Sequence, residues 1–424
     1  MQLSKADEDT LHATVDACFS WIAPNADAPK IGLAVSGGGD SIAMLHLFAP
    51  LAAARSAQLF VATVNHGLRK EASDEARFVA EVCAEYHLPH EVLSWDDWDG
   101  SGNVQSEARA ARYRLLSEWS TANSLDVVAL GHTCDDVAET FLMRLARGSG
   151  LDGLAAMERH FERYGATFAR PLLGLRRETL RLFLASHGYR WCEDPSNEDA
   201  RFQRVKTRSV LKELASLGVD SEEIARAAGE LQSVKSLIRR YTKETAEKIV
   251  EFQGGDLVVA QAAWRAVPRE MQRRLLNAML QWVGGTDYPP RAEAVAELQA
   301  QLLANSTHSL NGCLVTQSAE TLRVVREHKA VESLVGEFGD VWDGRWMLDG
   351  PSGPDLQLRA LGERGLKRCP DWRETGLPYR SLLASPALWR GDELVAAPLA
   401  GRADGWCARL TRSREQFLSW LFSH

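Results

Sequence analysis

Residues 31–41 read IGLAVSGGGDS, and residues 42–54, IAMLHLFAPLAAA, follow without a break. Ile31, Leu33 and Val35 are typical of a buried strand, and the apolar positions after the glycines recur at helical spacing. The stretch therefore predicts a strand, a glycine turn and the start of a helix. Closely spaced N–H groups, serine hydroxyls and the positive end of a helix dipole all favour an anion, and phosphate is the natural guest.

Other glycine motifs fit this turn less well. A Walker loop ends in Gly-Lys-Ser/Thr, whereas this turn ends in Asp40-Ser41. A dinucleotide fingerprint needs a glycine where Ile42 stands. Two alternatives stay open: Ser36 as a hydrolase nucleophile, one residue short of G-x-S-x-G, and an ordinary strand-to-helix turn. The motif that remains, SGGxDS after a first strand, resembles the pyrophosphate turn of the ATP pyrophosphatases, which split ATP between its α and β phosphates.

Length and composition predict a soluble protein of several domains. With 424 residues the chain exceeds one ordinary core, and it is 45% hydrophobic and 25% charged. No apolar run approaches the ~20 residues of a membrane span, and the N-terminus has no hydrophobic signal region. We therefore expect a cytoplasmic protein with no membrane partner. Seven scattered cysteines without a C-x-x-C pair predict reduced thiols and argue against a zinc site or an iron–sulfur cluster.

The charge is distributed unevenly. A net charge of −8 predicts no global attraction to nucleic acid. Residues 201–212, RFQRVKTRSVLK, nevertheless contain no acid and five basic side chains, Arg201, Arg204, Lys206, Arg208 and Lys212. Taken alone, such a run is more typical of a solvated helix face than of a binding site.

The first half of the chain alternates strand-like and helix-like segments. The strand-like runs are 31–35, 58–64, 90–95 and 126–130, and the helix-like stretches are 40–54, 72–87, 104–122 and 134–147. This alternation predicts an α/β fold with a doubly wound parallel sheet, in which ligands bind beyond the carboxyl ends of the strands. Further on, a helical segment precedes short β-like runs. We expect three domains: a catalytic domain at 1–215, a helical domain at 216–334 and a small α+β domain at 335–424.

A second motif, GHTCDDVAET at 131–140, follows the fourth strand and begins a helix. His132, Asp136 and Glu139 are three or four residues apart, so a helix turns them to one side. Beside a triphosphate, two carboxylates need a cation between them and the phosphates, and Mg²⁺ fits. Acids in a first turn also serve as caps, so capping is the alternative. The presence of SGGGDS at another strand end favours catalysis.

Further polar residues follow the second strand and precede the fourth. Asn65, His66 and Arg69 stand in NHGLR, and Arg109 and Arg112 lie one helical turn apart. Next to a nucleotide turn these residues are candidates for shaping the ATP pocket. Loop residues and a solvated helix face are the alternatives.

The order of NHGLR, ARAARY, GHTCDDVAETFLMRLARGSGLDGLAAM, ARPLLG and EDPSN resembles the bacterial tRNA(Ile)-lysidine synthetases. The likeness is close over residues 28–212 and looser beyond. The family usually has an asparagine soon after EDPSN, which this chain lacks, and Gly39 replaces a common aliphatic residue, for which we expect a more mobile turn. The resemblance implies a ligase that adenylates the C2 oxygen of the wobble cytidine in the CAU anticodon of a minor tRNA(Ile), and then replaces AMP with the ε-amine of L-lysine.

What the resemblance implies for the site can be stated residue by residue. ATP and Mg²⁺ are the expected cofactors, with Asp40 and Asp136 as metal ligands, His132 near the α-phosphate and Glu139 toward the lysine ammonium. The residues expected to bind ATP are Ser36, Gly37, Gly38, Gly39, Asp40, Ser41, Asn65, His66, Arg69, Arg109 and Arg112. The residues expected to bind tRNA are Arg170, Arg201, Arg204, Lys206 and Arg208. The expected partners are tRNA(Ile) and L-lysine, and a homodimer is compatible with the family.

Three rival functions remain. A tRNA thiolase would commonly need the paired cysteines that this chain lacks. An amide-forming synthetase of the NAD or GMP kind would not explain the domains after the basic run. A tRNA-binding protein without catalysis would have no use for acids at two strand ends.

Overall fold

The structure is a computed structural model that describes residues 3–24, 26–67, 72–96, 98, 104–155, 157–193, 203–286, 289–302, 307–351 and 353–423. The chain divides into two compact units, Met1–Ser236 and Leu237–His424. No helix among the described residues is long and apolar enough to cross a membrane.

The first unit contains a sheet and the helices that cover it. Its strands are β1 (Lys30–Ala34), β2 (Gln58–Asn65), β3 (His90–Ser94), β4 (Val127–Leu130), β5 (His160–Arg163) and β6 (Ala166–Ala169). Its helices are α1 (Lys5–Ile22), α2 (Gly39–Ala54), α3 (Ala72–Glu85), α4 (Val104–Ala122), α5 (Cys134–Leu145), α6 (Leu151–Leu154), α7 (Arg177–Ser186), α8 (Gln203–Ala215) and α9 (Ser221–Ile249), whose last residues belong to the second unit. The strands and helices predicted before residue 150 agree with these bounds to within two residues.

The sheet has six strands in the order β3-β2-β1-β4-β6-β5, and only the edge strand β5 runs antiparallel to its neighbour. Alternate residues of one strand enter different cores, because successive side chains point to opposite faces. Ile31 and Leu33 pack in one core with α1, α2, α3 and α7. Ala34 packs in the other core with Tyr113 and Trp119 of α4. Helices therefore cover both faces, and the predicted α/β fold class is confirmed.

The strand order explains where the polar motifs meet. The chain leaves β1 for β2 and β3 on one side and returns to β4 on the other side. The turn after β1 and the turn after β4 are therefore neighbours at the carboxyl edge, at a topological switch point. Their approach is close: a Cβ atom on Gly131 would lie 3.1 Å from the Cα atom of Ser41. Glycine at 131 thus lets the second turn pack against the start of α2.

The second unit begins with helices and a second sheet. Its first elements are β7 (Val250–Gln253), β8 (Asp256–Ala260), α10 (Gln261–Ala266), α11 (Arg269–Gly284), α12 (Ala292–Leu302), β9 (His308–Leu310), β10 (Cys313–Gln317), β11 (Thr321–Arg326) and α13 (His328–Val331). The antiparallel sheet has the order β7-β8-β11-β10-β9. The helices expected between 216 and 334 are present, but β7 and β8 were not expected. Four- and five-residue strands joined at Gly254-Gly255 are too short to produce a clear alternating pattern.

The remaining elements are the strands of two small antiparallel sheets and several short helices. They are β12 (Gly336–Glu337), β13 (Trp346–Asp349), β14 (Leu356–Ala360), α14 (Gly362–Leu366), α15 (Tyr379–Leu383), β15 (Pro386–Arg390), β16 (Glu393–Ala396), β17 (Cys407–Leu410) and α16 (Arg414–Ser423), with short 3-10 helices at Trp372–Thr375 and Pro398–Ala400. One sheet has the order β12-β14-β15-β16, and β13 pairs with β17. Phe417 of α16 packs in the same core as Trp282 of α11. The segments before and after residue 335 therefore share one core, and the proposed domain boundaries stay a prediction.

Candidate active site

The turn after β1 is held by its own serines. The N–H group of Ser36 donates to the hydroxyl oxygen of Ser41 (3.1 Å), and that hydroxyl donates to the carbonyl oxygen of Gly38 (2.9 Å). Gly37 has a φ of 87°, a conformation that favours glycine. Gly38 caps α2 without any side-chain hydrogen bond, so the first N–H groups of the helix are not satisfied by a cap side chain. The turn thus has the N–H groups and helix start of an anion site, and anion binding here stays a prediction.

A distant segment supports the same turn. The N–H group of Cys192 donates to the carbonyl oxygen of Gly37 (2.9 Å). A Cβ atom on Gly39 would lie 3.5 Å from Cδ1 of Trp191, an ordinary contact. The indole therefore stands against the position where relatives were expected to carry an aliphatic side chain. The support comes from residues just before EDPSN, whose positions 194–197 lie outside the described residues.

In the turn after β4, the carboxylate of Asp136 caps a helix with one oxygen and contacts an arginine with the other. Asp136 accepts hydrogen bonds at Oδ2 from the N–H group (2.9 Å) and the hydroxyl (3.0 Å) of Thr133, which completes a capping box for α5. Its other oxygen, Oδ1, accepts from Nη2 of Arg177 at 3.1 Å. Capping therefore occupies one oxygen of this acid and leaves the other to face Arg177, and its catalytic role stays a prediction.

Arg177 joins all three candidate acids, and sequence reasoning did not select it. Its Nε donates to Asp40 (2.9 Å), its Nη2 to Asp136 (3.1 Å) and its Nη1 to Glu139 (3.2 Å). Its main-chain N–H group donates to Asp135 at 2.7 Å. One local feature could have identified it. Arg177 is the first residue of α7, where a positive charge is unfavourable next to the helix dipole and is stabilised by acidic side chains from other segments.

Glu139 is buried, with its side chain 1% exposed, and it does not line the cavities described below. Besides Arg177, its Oε1 accepts from Nε of Arg208 at 2.7 Å, and Nε of Arg204 lies 4.0 Å from Oε2. Two of the predicted tRNA-binding arginines thus face an active-site acid from α8. Lys206, between them, is exposed. Arg201 lies outside the described residues.

These contacts set the charge states of the acids. Burial raises the pKa of Asp40 above its ordinary value, and Arg177 only partly offsets this. Burial would also raise the pKa of Asp136, but Arg177, His132 and the Thr133 amide outweigh it, so that pKa is lowered. Burial opposes the charge of Arg177, yet its three acids raise its pKa, so it stays a cation.

His132 is half-buried next to a group of arginines. Burial, helped by Arg170, Arg112 and Arg109, lowers its pKa to about 3, although Asp136 opposes the shift. Its Nδ1 atom is buried and has no hydrogen-bond partner among the described residues. At neutral pH the ring is therefore uncharged, and it can offer a ligand a neutral donor or acceptor but not a positive charge.

Many of the predicted residues line two adjoining cavities, but Gly37, Arg109 and Glu139 line neither of them. One of about 390 Å³ is lined by Ser36, Gly38, Gly39, Asp40, Ser41, Arg112, His132, Asp136, Arg177, Arg204 and Arg208. The other, of about 220 Å³, includes His66 and shares Ser36 and Arg112 with the first. Asn65 does not line either cavity, and its Oδ1 accepts from the N–H group of Gly67 (2.9 Å), which shapes the loop after β2. Arg69 lies outside the described residues.

Two other predicted arginines, Arg109 and Arg170, contact neighbouring residues of the protein. The Nη2 atom of Arg109 donates to the hydroxyl of Tyr113 at 3.3 Å. Arg170 is 7% exposed, donates to the carbonyl oxygen of Glu158 (2.6 Å) and lies over the ring of Phe161. A side chain this buried offers little surface to a tRNA backbone, so its assignment to tRNA binding stays a prediction.

The donor set fits a magnesium ion that arrives with a nucleotide. Among the described residues, no three acidic, histidine or cysteine side chains are placed to hold a metal by themselves. Asp40 and Asp136 lie close enough to share one guanidinium. Magnesium commonly takes one or two carboxylates and completes its shell with phosphate and water oxygens. The two aspartates meet that requirement, and an all-protein cage is not needed.

The fold and the site define a PP-loop protein, and a family profile described as a PP-loop domain matches residues 11–214. A tRNA(Ile)-lysidine synthase of Ruegeria pomeroyi is 48% identical over 93% of this chain and 94% of its own length. One of Wolbachia pipientis is 32% identical over 75% of this chain and 76% of its own. The chain belongs to the tRNA(Ile)-lysidine synthase family. The family indicated by the motifs is therefore confirmed.

The comparison with solved structures gives a weaker likeness. A U34-tRNA thiolase of Methanococcus maripaludis has a TM-score of 0.47 and 18% identity, over 54% of this chain and 81% of that chain. A likeness at this level carries no functional information.

Proposed function

We propose that this protein joins L-lysine to C2 of the wobble cytidine of a tRNA(Ile) with a CAU anticodon, at the expense of ATP. The observation that carries the proposal is 48% identity to a tRNA(Ile)-lysidine synthase over 93% of the chain. The acids beside the Ser36–Ser41 turn support it, because this chemistry needs a nucleotide and an amine in one site. The rival functions lack a comparable observation.

The chemistry proceeds in two balanced steps. The C2 oxygen of cytosine is a poor leaving group, so it first attacks the α-phosphorus of ATP and pyrophosphate leaves. The lysine ε-amine, after losing a proton, then attacks C2, and AMP leaves with the original oxygen. The Ser36–Ser41 turn binds the pyrophosphate portion through its N–H and hydroxyl groups and aims the α-phosphate at the base. Asp40 and Asp136 would hold Mg²⁺, which neutralises phosphate charge.

The neighbouring side chains orient the other reactants. His132, neutral and with a free Nδ1, positions the reacting oxygen or the α-phosphate through a hydrogen bond. Glu139 is the acid proposed for the lysine ammonium; because it is 1% exposed and paired with Arg177 and Arg208, one of these arginines must first move away. The exposed basic side chains of α8 meet tRNA phosphates.

The cysteines support a cytoplasmic location for this reaction. All seven cysteines are free thiols, five of them buried, which supports a reducing compartment such as the cytoplasm. ATP, tRNA(Ile) and lysine are then available together. The homodimer stays a prediction.

Omission of each substrate in turn tests the function. Pyrophosphate release is measured with the transcript of the minor tRNA(Ile), ATP and labelled lysine. We expect pyrophosphate with ATP and tRNA alone, up to the amount of enzyme-bound tRNA, and labelled tRNA only when lysine is added. A transcript with uridine at the wobble position is the matched control and should give neither signal. Incorporation of label from a sulfur donor, and not from lysine, would instead make the protein a thiolase.

A further inference from the structure

We propose that the guanidinium of Arg177 is a resident counter-ion of the active-site acids, and that the divalent cation enters this site by exchange with it. The three guanidinium nitrogens each contact a different carboxylate, on Asp40, Asp136 and Glu139, at 2.9 to 3.2 Å. The side chain is 20% exposed, so solvent and ligands reach it from the cavity. Arg177 is therefore a positioning residue for the ligands of the metal.

Charge explains why the two cations exclude each other. A guanidinium in contact with Asp40 and Asp136 lies next to any metal bound to the same carboxylates, and like charges at such distances repel. The metal also needs oxygen lone pairs that now accept N–H groups, and Oδ2 of Asp136 is already used by Thr133. A metal at this pair of acids therefore requires Arg177 to leave at least one of them.

The fold lets the side chain move while the helix stays. The main-chain N–H group of Arg177 is fixed to Asp135 (2.7 Å), and the carbonyl oxygen of Leu175 accepts from the N–H group of Cys134 (3.0 Å). Exchange thus involves side-chain torsions only. Arg177 lines the same cavity as Ser36 and Gly38, where a nucleotide would place its phosphates. Phosphate oxygens match the forked guanidinium, so they are its natural acceptor after exchange.

The proposal predicts effects of opposite sign on two ligands. Arg177→Met should bind Mn²⁺, used as the probe for Mg²⁺, at least about tenfold more tightly than wild type without nucleotide, because the competing charge is gone. The same variant should bind the α,β-methylene analogue of ATP, at saturating Mn²⁺, about tenfold more weakly, because a charge-assisted contact to phosphate is lost. A purely structural role would weaken both.

Arg181 offers a matched control. It lies one turn further along α7, lines the same cavity and pairs with Glu193 at 3.5 Å, but makes no hydrogen bond to the three acids. Arg181→Met should leave the affinity for Mn²⁺ within about twofold of wild type. In the double variant Arg177→Met/Asp136→Asn the gained affinity should disappear, which locates the metal.

The measurement is the Mn²⁺ dissociation constant of the full-length protein, from the electron paramagnetic resonance signal of free Mn²⁺. Unchanged or weaker Mn²⁺ binding by Arg177→Met would overturn the proposal. If that variant does not fold, Arg177→Gln replaces it, since a neutral amide keeps a hydrogen-bond donor and removes the competing charge, and tighter Mn²⁺ binding is again required. The proposal rests on the proposed function only for Asp40 and Asp136 as metal ligands. Because no tRNA or lysine is present, lysidine formation can fail without affecting this result, and the reverse also holds.

Discussion

The basic helix α8 (Gln203–Ala215) presents two kinds of positive charge, and they should respond differently to salt. Arg208 donates to Glu139 at 2.7 Å, and Nε of Arg204, whose side chain is 49% exposed, lies 4.0 Å from the other oxygen of that carboxylate. Lys206 and Lys212 are exposed. A cation weakens tRNA binding at high salt only to the extent that it neutralises a phosphate and releases a counter-ion. An arginine already paired with a carboxylate must give up that partner first, so it contributes less.

The change in the salt dependence of tRNA binding follows from the number of phosphate contacts that each variant removes. Each contact to a tRNA phosphate contributes roughly 0.7 to 0.9 to the slope of log K against log salt concentration. The double variant Lys206→Gln/Lys212→Gln should therefore flatten the slope by about 1.4 to 1.8. Arg204→Gln/Arg208→Gln, which removes the same formal charge from the same helix, should flatten it by less than about 0.7.

The assay is filter binding of labelled tRNA between about 50 and 200 mM salt, without ATP or lysine. Cognate tRNA(Ile) and an unrelated tRNA should lose affinity in parallel, because phosphate contacts carry no sequence information. Equal flattening by the two double variants would show that Arg204 and Arg208 exchange Glu139 for phosphate, and would refute this reasoning. An unchanged slope in both, with folded protein, would return the segment to a solvated helix face.

Three further predictions concern the turn and the core beneath it. Asp40→Asn should abolish pyrophosphate release and leave tRNA affinity within about twofold, because it removes the charge proposed to hold Mg²⁺ and little surface; release near the wild-type rate would contradict the proposed role. Gly37→Ala should lower the free energy of unfolding by about 1 to 2 kcal/mol, since φ is 87°, whereas Gly39→Ala, with ordinary φ and 3.5 Å from Trp191, should change it by less than about 1 kcal/mol, both measured by urea titration. His46 is 4% exposed and burial lowers its pKa from 6.5 to about 4, so the folded state disfavours the proton. The stability that neutral His46 contributes is present above pH 6.5 and is lost as pH falls toward 4. Between pH 7 and 5 the free energy of unfolding of wild type should therefore fall by about 2 kcal/mol more than that of His46→Phe. Equal decreases in the two proteins would contradict this.

Local sequence patterns predicted many of the strands and helices of the first unit. The strand at 31–35, the helix at 40–54 and the glycine turn between them follow from apolar spacing and from the conformations that only glycine adopts easily. Because parallel strands place their carboxyl ends at one edge, the same patterns also predicted that residues 36–41 and 131–136 would meet. The two motifs line one cavity in the structure. Local spacing could reach this far because each motif lies within one strand and the helix that follows it.

Only the tertiary structure revealed which charges face one another. Arg177 is separated from Asp40 by 137 residues, and Arg208 from Glu139 by 69. No periodicity within a segment encodes such a contact, since it depends on how α7 and α8 pack against α5 (Cys134–Leu145). The run at 201–212 was therefore open to interpretation as a tRNA surface throughout, although Arg208 pairs with Glu139 at 2.7 Å and Nε of Arg204, a side chain that is 49% exposed, lies 4.0 Å from the same acid. The sequence alone determined which polar groups stand at each strand end. Packing decided which acids share a cation, because the strength of an ion pair depends on distance in space and not on separation along the chain.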